Sequence, residues 1–320
     1  MVPVMTPVLT DELSAVPLKQ SFAVGRSPVA TAIRIDNLSL SYPAGRKQRK
    51  NILNHINLDI AAGEFVVVLG ETGCGKSSLL RMLLGQEMPT AGAAFVDGQQ
   101  VRRVGANCGY VPQKYSLFPD RTVLENMTAG PETAAFHVLG RLKPGFRAFR
   151  RRTRAEALDR LAQMGLHASD ADKYPHQLSG GMQQRVAIGQ TLMMNPRILL
   201  MDEAFSALDP ATRASLQRML RSTWLRSRPT VVFVTHNTAE ALYLATRIIV
   251  LARNGHGGQS GAQVALDLKL PSSGMSLKQD GQKFLDLADQ IEDASAQPSE
   301  PERCLECDVD ASMGKGWTRP

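Results

Sequence analysis

Phe65-Val66-Val67-Val68-Leu69-Gly70-Glu71-Thr72-Gly73-Cys74-Gly75-Lys76-Ser77 is the stretch that decides the fold. Residues 65–69 form an unbroken apolar run, the pattern of a strand covered on both faces in a parallel sheet. After Gly75 the period changes: Leu79, Leu80, Met82, Leu83 and Leu84 follow helical spacing and stop at Gly85. Between strand and helix, residues 70–77 fit G-x-x-x-x-G-K-[ST]. Glycines there let successive backbone N–H groups turn inward around phosphate oxygens, and the following helix directs its positive end at them. Gly70, Glu71, Thr72, Gly73, Cys74, Gly75, Lys76, Ser77 and the adjoining Ser78 are therefore candidate nucleotide ligands. Lys76 would bridge the β- and γ-phosphates, and Ser77 would offer its hydroxyl oxygen to Mg²⁺.

Two further stretches extend this chemistry. Ile198-Leu199-Leu200-Met201-Asp202-Glu203 is an apolar strand ending in two carboxylates. Ligands of parallel α/β sheets gather at the carboxyl ends of strands, so Asp202 fits a Mg²⁺-water partner and Glu203 a group that polarises an attacking water. Upstream, Leu178-Ser179-Gly180-Gly181-Met182-Gln183-Gln184-Arg185 sets a serine and two glycines at the start of a new helix, a second anion-binding N-terminus. One chain with one lysine-bearing loop has no need of a second such site. The two are reconciled if Ser179, Gly180 and Gly181 close on nucleotide held by a second copy of the chain.

The remaining pattern organises itself around these motifs. Residues 1–30 read as a loosely ordered extension. Ile33, Ile35, Leu38, Leu40 and Tyr42 nearly alternate, as do Ile52, Ile56, Leu58 and Ile60, which predicts two strands separated by a basic turn over 43–50. Residues 119–187 read mainly as an inserted helical segment. Strands return at 198–201 and 231–234 with a helix over 213–225 between them, and a helix over 238–245 leads to a last strand at 248–251. Residues 255–320 read as a polar, acidic tail. The expected fold class is α/β: sheet, helical insertion and sheet again.

With these motifs in this order, residues 31–254 resemble the ATP-binding subunit of an ABC transporter. That likeness implies a P-loop NTPase core over residues 31–254 with an antiparallel β subdomain and an inserted helical subdomain. The resemblance implies that Tyr42 stacks on adenine, that Gln113 touches Mg²⁺ and senses the membrane partner, that residues 206–209 form the D-loop, and that His236 contacts the γ-phosphate. Glu203, His236, Lys76 and Gln113 would then be catalytic, and Ser77, Gln113 and Asp202 would hold Mg²⁺ beside ATP. It further implies a head-to-tail dimer, two transmembrane permease subunits, an extracytoplasmic solute-binding protein, and a peripheral place on the cytoplasmic face of the inner membrane.

Tyr115-Ser116-Leu117-Phe118-Pro119, Thr122-Val123-Leu124-Glu125-Asn126, Val234-Thr235-His236 and Glu240-Ala241-Leu242 are similar to importer subunits of the nitrate, sulfonate and taurine class. Three departures stand against that pattern: Ala204 replaces a usual proline, Asn237 a usual aspartate, and residues 131–152 form a longer segment. A soluble ABC-type ATPase acting on nucleic acid or ribosomes is the alternative, but such proteins usually carry two cassettes or a long coiled-coil insertion. This chain has one cassette and no sustained heptads.

Composition sets the outer limits. The 320 residues are 43% hydrophobic and 21% charged, and no apolar run approaches the ~18 residues of a membrane span. The first thirty residues lack a basic segment followed by an apolar one, which points away from secretion. Four cysteines are too few for a disulfide scaffold. Cys304 and Cys307 have metal-ligand spacing without the second pair a zinc site needs. Cys74, at a helix N-terminus, is expected to have a lowered pKa and to make hydrolysis thiol-sensitive. Met193 and Met194 read as core.

The net charge of +7 hides a sharp asymmetry. From Asp267 onward there are 6 basic and 11 acidic residues, whereas residues 141–160 hold 8 basic and 2 acidic ones. A basic balance invites nucleic acid, anionic membrane or nucleotide phosphate. Its concentration in the helical insertion reads as a local patch facing a membrane surface or acidic loops of a membrane partner, with no nucleic acid.

Overall fold

The computed structural model describes residues 30–44, 49–105, 108–114, 117–136, 144–206, 208–253, 261–271, 275 and 277–296. Tyr115, Ser116, Ala207, Cys304, Cys307 and residues 1–29 lie outside them. β1 (Thr31–Pro43) pairs antiparallel with β2 (Arg49–Ala61), setting Ile35 opposite Leu58. The step from Ile35 to Leu38 breaks the period of two, and the strand absorbs it as a bulge with Asn37 at a left-handed φ of 47°.

β3 (Phe65–Gly70) is buried at every residue. Phe65, Val67 and Leu69 enter the core on one face of the sheet, Val66 and Val68 the core on the other. Two-sided cover is why alternation vanishes there. α1 (Lys76–Leu84) follows, capped by Gly75 and Gly85. β4 (Ala91–Val96) and β5 (Gln99–Gln100) turn around Asp97 and Gly98, both at positive φ. β6 (Cys108–Val111) completes this half. None of these three strands is evident in the sequence pattern. They are short, and the three alanines and one glycine of β4 leave almost no apolar period.

Among the described residues, three α-helices separate β6 from the next strand: α2 (Val123–Ala135), α3 (Pro144–Gln163) and α4 (Gly180–Met193). Then come β7 (Ile198–Asp202), α5 (Pro210–Ser227), β8 (Thr230–Val234), α6 (Thr238–Leu244) and β9 (Arg247–Arg253). Met193 is buried as expected, but Met194, at the C-cap of α4, is 45% exposed.

The chain does not leave the fold at residue 254. β10 (Ala262–Lys269) pairs antiparallel with β9 and bridges β2, so one sheet runs β5-β4-β1-β2-β10-β9-β3-β8-β7-β6. α7 (Leu277–Ala296), broken at Gly281, brings Phe284, Leu287, Ala288 and Ile291 onto the core. That spacing is a helical stripe. Acidic residues on the rest of the helix gave the segment the composition of a solvated tail and masked it. The parallel strands β9, β3, β8, β7 and β6 all point one way, and the loops leaving β3, β6, β7 and β8 meet along one edge.

Candidate active site

Four of those loops carry the predicted residues. From β3 comes the glycine loop, with Gly70 at φ 148°, Gly73 at 80° and Gly75 at 107°. A Cβ on Gly70 would sit 2.3 Å from the Leu251 carbonyl oxygen, and one on Gly75 2.8 Å from Leu53, so only glycine fits at both points. Lys76 is buried, and its Nζ donates to the carbonyls of Gly70 at 2.7 Å and Glu71 at 2.8 Å. The ammonium is thus held under the loop, aligned with an anion that the loop would cradle.

Ser77, the second residue of α1, donates through Oγ to Asp202 Oδ1 at 3.0 Å at the end of β7. Burial pushes the Asp202 carboxyl above its usual range, and the Ser77 hydrogen bond works against that shift. Two oxygens side by side, one from a carboxylate that is costly to bury alone, make a donor set suited to a hard divalent cation such as Mg²⁺.

The next residue, Glu203, takes a left-handed φ of 44°. Its N–H donates to the Val234 carbonyl at 2.9 Å, and its carbonyl accepts from Ser206 Oγ at 2.9 Å. This pinned backbone turns the side chain between two other loops: Gln113 Nε2 donates to Oε2 at 2.8 Å, and His236 Nδ1 lies 3.6 Å from Oε1. Gln113 follows β6 and His236 follows β8, so three strand ends converge on one carboxylate.

Other predicted residues stand apart. Tyr42, 38% exposed near the end of β1, donates its hydroxyl to Glu87, with Ser78 beside it. Ser179 caps α4, accepting from Met182 N at 3.3 Å, and is exposed with Gly180. Gln183 donates to the carbonyls of Pro175 and Leu178, and Arg185 to those of Met164 and Gly165, which fixes the approach to this helix end. Among the described residues, no hydrogen bond or ion pair joins Ser179, Gly180 or Gly181 to the glycine loop of the same chain.

The expectation for Cys74 is corrected. Its thiol is 2% exposed, and burial pushes its pKa up despite the nearby Lys76 cation. Desolvation outweighs the lowering effect of Lys76 because the thiol is packed into the apolar cluster that includes Val68, Leu79 and Leu251.

Several site contacts went unread in the sequence. Arg253, at the end of β9, donates to the Gly73 carbonyl. Tyr110 in β6 lies against Asp202. Glu240 is buried and accepts from Thr235 Oγ1 at 2.6 Å and Gln217 Nε2 at 3.1 Å, and Asn237 caps the same turn by accepting from Glu240 N at 3.0 Å. This network sets the backbone that presents His236, and it accounts for Asn237, since either asparagine or aspartate can supply the capping oxygen. Beside the loop, Gly70, Glu71, Thr72 and His236 share a cavity of about 420 Å³ with Glu292 and Ser295 of α7.

The family described as ABC transporter matches residues 53–206. An uncharacterised ABC transporter ATP-binding protein of Methanocaldococcus jannaschii is 39% identical over 254 residues, covering 79% of this chain and 89% of its own. A taurine import ATP-binding protein of Rhizobium johnstonii is 38% identical, with coverage of 69% and 79%. A bicarbonate transport ATP-binding protein of Synechococcus elongatus is 39% identical over 77% of this chain, which spans only 35% of that relative. A dimeric ATP-binding cassette solved in a post-hydrolysis state with ADP and Pi superposes with a TM-score of 0.61 at 30% identity, covering 75% of this chain and 99% of that one.

Proposed function

The chain belongs to the ATP-binding proteins of ABC transporters, and on that premise we propose that it is the ATP-hydrolysing subunit of an importer for a small solute of the nitrate, sulfonate or taurine kind. The observation that carries this is the convergence of Gln113 and His236 on Glu203 beside the Ser77–Asp202 pair. Lys76 and the glycine loop hold the triphosphate of ATP, Tyr42 supports the adenine, and Ser77, Asp202 and Gln113 hold Mg²⁺. When bound, Mg²⁺ neutralises charge on the β- and γ-phosphate oxygens. Glu203, oriented by Gln113, accepts a proton from the attacking water, and His236 holds the γ-phosphate side.

The Ser179–Gly181 end, exposed at Ser179 and Gly180, serves a second copy. Two chains arranged head to tail would bring it over the partner's loop, so that closure assembles each site and reopening resets it. No helix among the described residues is long and apolar enough to cross a membrane, so the closing motion acts on two separate permease subunits at the cytoplasmic face, fed by an extracytoplasmic solute-binding protein. Taurine and bicarbonate are named for two relatives, which favours a small anionic or zwitterionic cargo.

Purification from detergent-solubilised membranes tests the assignment. Two transmembrane chains should accompany the protein, together with Mg²⁺-dependent ATP hydrolysis. Bound RNA without any membrane chain would overturn it in favour of a nucleic-acid ATPase.

A further inference from the structure

Helix α3 carries both its acidic residues on one flank, with Arg160 beside them, and four arginines on the other. Thr153, Ala157 and Leu161 form its buried side. Glu156 and Asp159 line a groove on one flank against Thr223 and Arg226 of α5. On the other flank, Arg147, Arg150, Arg151 and Arg154 rim a shallow groove of about 530 Å³ floored by Ala155 and Leu158. Leu158 is 38% exposed there. Arg150 meets Glu132 at 3.5 Å, but among the described residues Arg147, Arg151 and Arg154 have no ion-pair partner. The spacing 147, 151, 154, 158 is one helical stripe, and like charges three and four residues apart destabilise a helix unless a counter-charge arrives. At the start of α3, the half-exposed rings of Phe146 and Phe149 meet Phe136 edge-on at 5.4 and 5.2 Å. Three arginines without a counter-charge on one flank, with Ala155 and the 38% exposed Leu158 between them, make a cationic surface that suits an anionic membrane surface.

We infer that the Arg147–Arg151–Arg154 flank of α3 binds anionic lipid headgroups at the membrane surface, holding the cassette against the bilayer independently of its permease. The inference rests on the reading of this chain as a membrane-working ATPase and adds a second, lipid, partner to it. Guanidinium groups pair bidentately with phosphate oxygens. The apolar floor at Leu158 suits the glycerol and upper acyl region beneath those phosphates, for which a nucleic-acid backbone has no counterpart.

The test uses the purified, nucleotide-free full chain, co-sedimented with phosphatidylcholine vesicles containing none or about 40% phosphatidylglycerol, at about 50 and about 500 mM salt. The parent should partition onto the anionic vesicles at low salt and be released at high salt. At roughly fivefold per basic residue lost, the triple variant Arg147→Glu, Arg151→Glu, Arg154→Glu should bind at least about a hundredfold more weakly. The triple Lys variant at the same positions should retain binding. ATP binding, measured separately with a fluorescent analogue, should be the same in all three proteins, which shows that they are folded and keeps the ATPase reading apart from the lipid one. Equal partition onto neutral vesicles, unchanged binding by the Glu variant, attachment only when permease is reconstituted, or tighter binding to an RNA oligonucleotide lost in that variant would each overturn the proposal.

Discussion

The side-chain amide of Gln113 donates to the carboxylate of Glu203 at 2.8 Å. It joins the loop after β6 to the loop after β7, so movement of one is felt by the group proposed to activate water. Removing only the proton acceptor isolates that role. Glu203→Gln should lower the hydrolysis rate at least about a hundredfold, the lower range for loss of a general base, while ATP affinity stays within about threefold. An ATP-bound dimer should accumulate on size-exclusion chromatography. Hydrolysis at the parent rate would remove Glu203 from the mechanism.

Asp202 gives a pH-dependent stability with a definite sign. Burial raises its carboxyl pKa in the folded chain, so the fold holds that proton more tightly than the unfolded chain does. Its contribution is therefore fully present below the unfolded value of about 4 and is lost as pH rises through the folded one. Asp202→Asn, which keeps an oxygen for Ser77, should melt at a higher temperature than the parent at neutral pH without nucleotide or metal. The gap should shrink as pH falls toward about 4, and the variant should lose Mg²⁺-dependent hydrolysis. A gap that widens on acidification would reverse the assignment.

How much of this was legible follows from how far apart in sequence the contacting groups lie. Lys76, Ser77, Asp202 and Glu203 sit in short, regular contexts, a strand and the turn that ends it, so their grouping could be read locally. Arg253 reaches Gly73 across 180 residues, and Tyr110 reaches Asp202 from a four-residue strand too short to show a period. The apolar stripe of α7 was present in the sequence, but Asp280, Asp286, Asp289, Glu292 and Asp293 dominated the composition around it. Cys74 was misread for a different reason. A helix N-terminus lowers a thiol pKa only where burial does not outweigh it, and the burial of one side chain is not written in its neighbours.

Thiol chemistry follows from that burial. Cys74 is raised by desolvation, and Cys108 is pushed up to about 11 by burial. In a Cys304→Ser, Cys307→Ser background, N-ethylmaleimide at about pH 7.5 should leave hydrolysis unchanged, and labelling should be roughly tenfold or more slower than for a free thiol until denaturant is added. Rapid native-state labelling of Cys74 with loss of ATP binding would contradict the buried geometry.

Arg247 links the late segment to the nucleotide-binding sheet. From β9 it donates to both oxygens of Asp267 in β10, at 2.7 and 2.6 Å, and to the Asp59 carbonyl at 2.5 Å in β2. The two sheet halves therefore meet through a strand that a domain ending at residue 254 would lack. Ile291, 1% exposed, anchors α7 on the same core, and the turns just beyond it wall the cavity beside the phosphate loop. Ile291→Ala should cost about 2–4 kcal/mol of folding stability in urea titration, as for other buried aliphatic truncations. Asp267→Ala should cost about 1–2 kcal/mol, from loss of a partly exposed charged hydrogen-bonded pair. A solvated tail would give less than about 0.5 kcal/mol at either position. Because α7 borders Gly70, Thr72 and His236, the Ile291 variant should also shift the apparent ATP affinity, whereas the Asp267 variant, on the far side of β9, should leave it unchanged. Equal effects of both variants on stability and affinity would mean that global loosening, and not the α7 wall, transmits the change.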